Sequence, residues 1–144
     1  RVFWMIIGTG LDICDIRRIK MVIKKFPKRF KKRCFTPKEI KKCDYIFNSN
    51  ECYAKRFAAK EAISKALGTG MNKGINWKSI EVENLQSGKP TINLYGKAKK
   101  TLDSLMPKNM VPKISITLTD EKYYAQALAI IEGIPQKNLK WIQS

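Results

Sequence analysis

The sequence predicts an α+β fold. Apolar residues recur at three- and four-residue spacing through the first half of the chain, and they alternate singly through much of the second half. Turn sequences separate the alternating runs and are short enough to make antiparallel pairs. With 144 residues, no internal repeat and no low-complexity segment, the chain reads as one domain, 1–144. Arg1–Trp4, ahead of Met5, are an upstream extension, a cloning remnant or a misassigned start.

Each element follows from its local chemistry. Val2 to Ile7 is an apolar run broken by Gly8-Thr9-Gly10, which predicts a short buried strand and then a turn. Asp12 precedes Ile13, Ile16, Ile19, Val22 and Ile23, a helical spacing that leaves Arg17, Arg18 and Lys20 on the outer faces. Lys24–Arg33 is densely cationic, and Pro27 within it ends that helix or restarts a short one. Thr36-Pro37-Lys38-Glu39 spells a capping box with proline in the first turn, opening a helix to about Phe47. Asn48-Ser49-Asn50 is a loop in which Ser49 or Asn50 caps the longest helix, about residues 51–67, rich in Ala, Lys and Glu. Gly68 stops it. Tyr53, Phe57 and the small Ala54, Ala58 and Ala62 suit close packing against a sheet or another helix. Ile80–Glu83 and Thr91–Leu94 alternate about Ser87-Gly88-Lys89-Pro90, a hairpin. Gly96 to Met106 is a short helical pattern, and Lys113–Thr119 and Tyr123–Ile131 flank the turn Asp120–Lys122 as a last antiparallel pair.

Lysine and arginine number 29 against 12 acidic residues, a net charge of +17, and histidine is absent. Without imidazole there is no Ser-His-Asp or Cys-His machinery and no histidine-ligated zinc. Acid, base and metal chemistry falls to carboxylates, lysine, tyrosine and cysteine. The charge surplus asks for an anionic partner: nucleic acid, a phosphorylated small molecule or an acidic protein. Nucleic acid suits the Lys24–Arg33 run, but no zinc-finger, recognition-helix or aromatic RNA-binding signature accompanies it. Cys14, Cys34, Cys43 and Cys52 form no CxxC pair and read as reduced thiols in a cytoplasmic protein. No apolar run reaches the roughly 18–20 residues of a membrane span.

Two constellations could carry chemistry. Asp12 and Glu61 are carboxylates 49 residues apart, of the kind that hold a hard cation such as magnesium if the fold joins them. On spacing alone the plainer roles are favoured: Asp12 as a helix N-cap, and Glu61 as the i,i+4 partner of Lys65. Lys60, Ser64, Lys65, Gly68, Thr69 and Gly70 form a basic helix end running into a glycine turn. Such an end can offer ammonium and backbone N–H groups to phosphate. The lysines precede the glycines, unlike GxxxxGK[ST], and the helix dipole is negative here, so the side chains must supply most of the attraction. A C-cap and flexible loop is the plainer alternative.

The segments IIGTGLDICDIRRI, RFAAKEAISKALGTG, SGKP and SITLTDEKYYAQALAII resemble, in order and spacing, the holo-acyl-carrier-protein synthases. These are the short, single-domain class of 4′-phosphopantetheinyl transferases, and the resemblance covers Met5 to Glu132. It implies a long central helix on a small, mainly antiparallel sheet, assembled as a homotrimer with sites shared between subunits. It implies transfer of 4′-phosphopantetheine from coenzyme A to a serine of apo-acyl carrier protein for fatty acid biosynthesis, without nucleic acid or membrane. Asp12 and Glu61 match the family's magnesium ligands, with Glu61 and Lys65 carrying catalysis. Arg56, Phe57, Lys60, Ser64 and Lys65 border the coenzyme A site, and Gly68, Thr69 and Gly70 look like the loop beside the nucleotide. Arg18, assisted by Arg17 and Lys20, is similar to the arginine that meets the acidic carrier. Many members begin the SITLT strand with histidine; here that position is Lys113, which could supply charge to a phosphate.

Overall fold

The computed structural model describes residues 3–136, so Arg1 and Val2, and the start of the expected first strand, lie outside the described residues. Its elements are β1 (Met5–Asp15), α1 (Ile16–Lys25), α2 (Pro27–Cys34), α3 (Pro37–Asp44), α4 (Ser49–Ala66), β2 (Ile80–Asn84), β3 (Pro90–Leu94), α5 (Gly96–Leu105), β4 (Met110–Asp120) and β5 (Tyr124–Pro135). A 3₁₀ turn, Trp77–Ser79, leads into β2. β1, β5 and β4 form an antiparallel sheet in that order, and β2–β3 is a separate hairpin. The class is α+β, as the two periodicities require, and α4 lies across β1 and β5.

Gly8-Thr9-Gly10 is not a turn. β1 runs straight through it for eleven residues and pairs with β5 from Met5 opposite Gly133 to Asp15 opposite Tyr124. The glycines serve a close approach instead. A Cβ on Gly8 would collide with the carbonyl oxygen of Ala66, and one on Gly10 with that of Ala62. Opposite this strand, Ala125, Ala127 and Ala129 of β5 are fully buried, as are Ala58, Ala59 and Ala62 of α4. Small residues on helix and sheet therefore let the backbones meet, and the core spreads from that seam.

Because β1 continues, the N-cap of α1 is Asp15, whose carboxylate accepts from Arg17 N at 2.9 Å. Asp12, suited by spacing to that cap, stays in the strand on the face that carries Gly8, Gly10 and Cys14 toward α4. The opposite face carries Leu11 and Ile13, 54% and 62% exposed.

Pro27 opens α2, and the Thr36–Glu39 capping box opens α3 as the sequence requires. α3 ends at Asp44, short of Phe47. α4 begins at Ser49 with Asn48 in the cap position and no side-chain cap bond, so Ser49 and Asn50 lie inside the helix. The reduced-thiol expectation fails for one pair: Cys43 and Cys52 are disulfide-bonded, with Cα atoms 5.4 Å apart, while Cys14 and Cys34 are free. The short link between α3 and α4 sets one turn of each helix against the other, which brings these two cysteines within bridging distance.

Candidate active site

α4 sorts its side chains into two i,i+4 rows that neighbour one another on the helix. Phe57, Glu61 and Lys65 face a cavity of about 460 Å³ that Asp12 and Cys14 of β1, Arg18, Ile19 and Val22 of α1, and Phe30 of α2 complete. Arg56, Lys60 and Ser64 face the core and are buried.

In the cavity row, Lys65 Nζ donates to Leu11 O at 2.8 Å and to Asp12 Oδ1 at 3.1 Å. Its side chain is half exposed, and an ammonium has three donors, so one N–H remains for a substrate oxygen. Burial pushes the pKa of Glu61 up from the ordinary glutamate range; Asp12 adds to this and Lys65 opposes it. Cys14 is pushed up to about 11, by burial first and Asp12 second, so its thiol stays protonated and is a poor nucleophile. The remaining wall is apolar: Phe57 stacks on Trp77 with ring centroids 4.5 Å apart, and Phe30 lies 6.1 Å from Phe57. The site therefore joins a carboxylate pair and an ammonium to a greasy wall, suited to a ligand with a charged and an apolar part.

No group of three or more His, Cys, Asp or Glu side chains is gathered for a metal among the described residues. Two hard oxygen donors facing one cavity nonetheless fit magnesium, which typically takes one or two carboxylates and completes its shell with phosphate and water.

The core row corrects several expectations. Lys60, expected at the phosphates, is wholly buried and donates to Glu39 Oε1 at 2.7 Å, Trp77 O at 2.9 Å and Ile80 O at 2.6 Å. All three of its donors are in use, and burial lowers its pKa against the pull of Glu39. Ser64 is buried and donates its hydroxyl to Glu61 O at 2.7 Å, within the helix. Arg56 bonds Asn84 Oδ1 at 2.6 Å, while its buried Nε has no partner.

The glycine turn also differs from expectation. Gly68 N donates to Lys65 O at 3.0 Å, and Thr69 N and Gly70 N donate to Ser64 O at 3.2 and 3.1 Å. With Gly68 at φ 80°, this is a Schellman cap, and the amides expected for phosphate are satisfied by α4 itself.

Arg17 clasps Asp15 at 2.8 Å and lies 4.5 Å over the Tyr123 ring, so it is engaged locally. Arg18 is exposed at the cavity and Lys20 is exposed on α1. Lys113 lies on the sheet face turned away from α4, with its ammonium 5.8 Å from the Trp4 ring. It does not reach this cavity within one chain. Phe30 and Val22, which line the cavity, were missed, as was Trp77, which backs Phe57 from outside it. Phe30 is masked by the cationic run around it, and Trp77 had no signal beyond being a large aromatic after a loop.

Residues 8–126 match the profile of the 4′-phosphopantetheinyl transferase superfamily, and the chain belongs to that family. Among its relatives, it is 50% identical over 131 residues to the holo-acyl-carrier-protein synthase of Methylorubrum extorquens (strain PA1), covering 91% of this chain and 96% of that one. It is 51% identical over 132 residues to the synthase of Rhizobium leguminosarum bv. trifolii (strain WSM2304), covering 92% and 98%. Among solved structures, the Neisseria meningitidis synthase superposes with a TM-score of 0.78 at 31% identity, covering 88% of this chain and 98% of that one. The Helicobacter pylori synthase, determined in complex with coenzyme A, gives 0.73 at 29%, covering 85% and 98%.

Proposed function

We propose that this protein transfers 4′-phosphopantetheine from coenzyme A to a serine of apo-acyl carrier protein, releasing adenosine 3′,5′-bisphosphate, for fatty acid biosynthesis. The observation that carries the reading is the convergence of Asp12, Glu61 and Lys65 on one cavity with an aromatic wall. Such a site suits a pyrophosphate joined to a pantetheine arm.

The serine oxygen forms a bond to the phosphorus bearing pantetheine, and the bond from that phosphorus to the oxygen of the leaving bisphosphate breaks. Catalysis of this kind is mainly placement and charge neutralisation. Lys65, held by Leu11 O and Asp12, directs its remaining N–H at a phosphate oxygen. The serine proton passes to Glu61 or to ordered water. Phe57 and Phe30 hold the pantetheine arm and exclude water from one side. Magnesium would be held by Asp12 and Glu61, where it would neutralise pyrophosphate charge.

Arg18, exposed beside the cavity, is the first contact for the acidic carrier. The outward sheet face exposes Leu11, Ile13, Tyr124 and Leu128, which supports a homotrimer packed through that face. In such a trimer Lys113, on the same face, would belong to a neighbour's site. Coenzyme A and a carrier protein are both anionic, so the +17 charge has two partners without nucleic acid. Among the described residues no helix is long and apolar enough to cross a membrane. The reading keeps the protein in the cytoplasm, where the Cys43–Cys52 bond would be unusual.

Mass spectrometry of apo-carrier incubated with the protein, coenzyme A and magnesium tests the reaction. A gain of about 340 Da on the serine is expected; an unchanged mass overturns it. Sedimentation tests the assembly: an active monomer would rule out shared sites.

A further inference from the structure

Lys60 stands next to Glu61 in sequence and points the other way, into a network with no exposed member. Its ammonium bonds Glu39 Oε1, Trp77 O and Ile80 O, so α4 is tied to α3 and to both ends of the 3₁₀ turn. Glu39 is equally committed: Oε1 also accepts from Thr36 N at 2.9 Å, and Oε2 from Val82 N at 3.0 Å. Both side chains are 0% exposed. Every bond ends on backbone or on the partner charge, so no polar group of the pair is left for a ligand.

The network is fastened to one wall of the cavity, Phe57, and to the ring that backs it from outside. Trp77, whose carbonyl Lys60 holds, is the ring on which Phe57 stacks, and Phe57 lies one turn before Lys60 on α4. Rotation of α4 about its axis would carry Phe57, Glu61 and Lys65 together, and the buried pair opposes that rotation. A buried ion pair adds little net stability over a well-packed apolar pair, but in some proteins it selects one arrangement among near-equal packings.

We propose that Glu39 and Lys60 are positioning residues that set the rotation of α4 and the seat of Trp77, and through them the fit of coenzyme A. The proposal rests on the transferase reading. A merely stabilising pair and a positioning pair differ in what substitution does to the survivors. Loss of folded protein lowers the apparent kcat and leaves both Michaelis constants alone. Misplacement of the wall raises KM for coenzyme A and spares KM for the carrier, which docks on α1.

The test is Lys60→Met and, as the milder variant, Glu39→Gln, assayed for transfer with each substrate varied in turn and with thermal melting on the same samples. The expected result is a rise in KM for coenzyme A of about tenfold in Lys60→Met and about threefold in Glu39→Gln, with KM for carrier within twofold of wild type. If Lys60→Met does not fold, Glu39→Gln alone decides. A lowered melting temperature with KM for coenzyme A within twofold of wild type in the folded variants overturns the proposal. A wild-type protein without transfer activity overturns the underlying reading instead.

Discussion

Lys60 and Lys65 are the same residue type on the same helix, five positions apart, and they have opposite fates. Lys60 is sealed in the core with three acceptors, whereas Lys65 is half exposed and shares its ammonium between a backbone carbonyl and Asp12. The rows they belong to divide likewise. Arg56, Lys60 and Ser64 tie α4 to its surroundings, while Phe57, Glu61 and Lys65 face the cavity. A helix can thus carry scaffold and chemistry in adjoining rows, and charge by itself does not say which row a residue serves.

The sharpest way to break this contrast is through stability. Lys60→Met leaves Glu39 charged and unpaired in the core, and a loss of about 3–5 kcal/mol is expected in urea unfolding. Glu61→Gln should act on the other axis: turnover falling about 10²- to 10³-fold, equivalent to about 3–4 kcal/mol of barrier, with an unchanged melting temperature. Near-normal transfer by purified Glu61→Gln would remove Glu61 from the chemistry. Replacing both Cys43 and Cys52 by serine should lower stability by about 2–3 kcal/mol without altering either KM, since the closed loop is short and lies on the scaffold side. Arg18→Glu should raise KM for the carrier about tenfold more than KM for coenzyme A. Lys65→Met closes the series: less than about 1 kcal/mol of stability, because its ion pair is exposed, combined with a clear loss of rate.

Much of this was legible in the sequence because local signals and tertiary demands agreed. The capping box at Thr36–Glu39, the proline at the head of α2 and the alternation in β2 to β5 each have one cheap solution, and the structure adopts it. The site residues Asp12, Glu61, Phe57, Lys65 and Arg18 were marked by the family resemblance, and the cavity brings all five together. The failures share a cause. Glycine signals both a turn and a close backbone approach, so β1 could not be told from a strand ending at Ile7. Lysine before Glu61 signals both a phosphate ligand and a buried anchor. A cysteine pair nine residues apart becomes a bridge only when the intervening loop folds back.

Gly8 and Gly10 put the oxygen atoms of Ala66 and Ala62 where side chains would otherwise stand. The gap between strand and helix is therefore already at its minimum, set by hard-sphere contact of two backbones. Substitution at either glycine can move in one direction only: it widens the gap and parts Asp12 from Lys65. A laboratory search for faster variants can gain nothing by tightening this seam, and the tolerance of the proposed site is fixed by two residues that have no side chain at all.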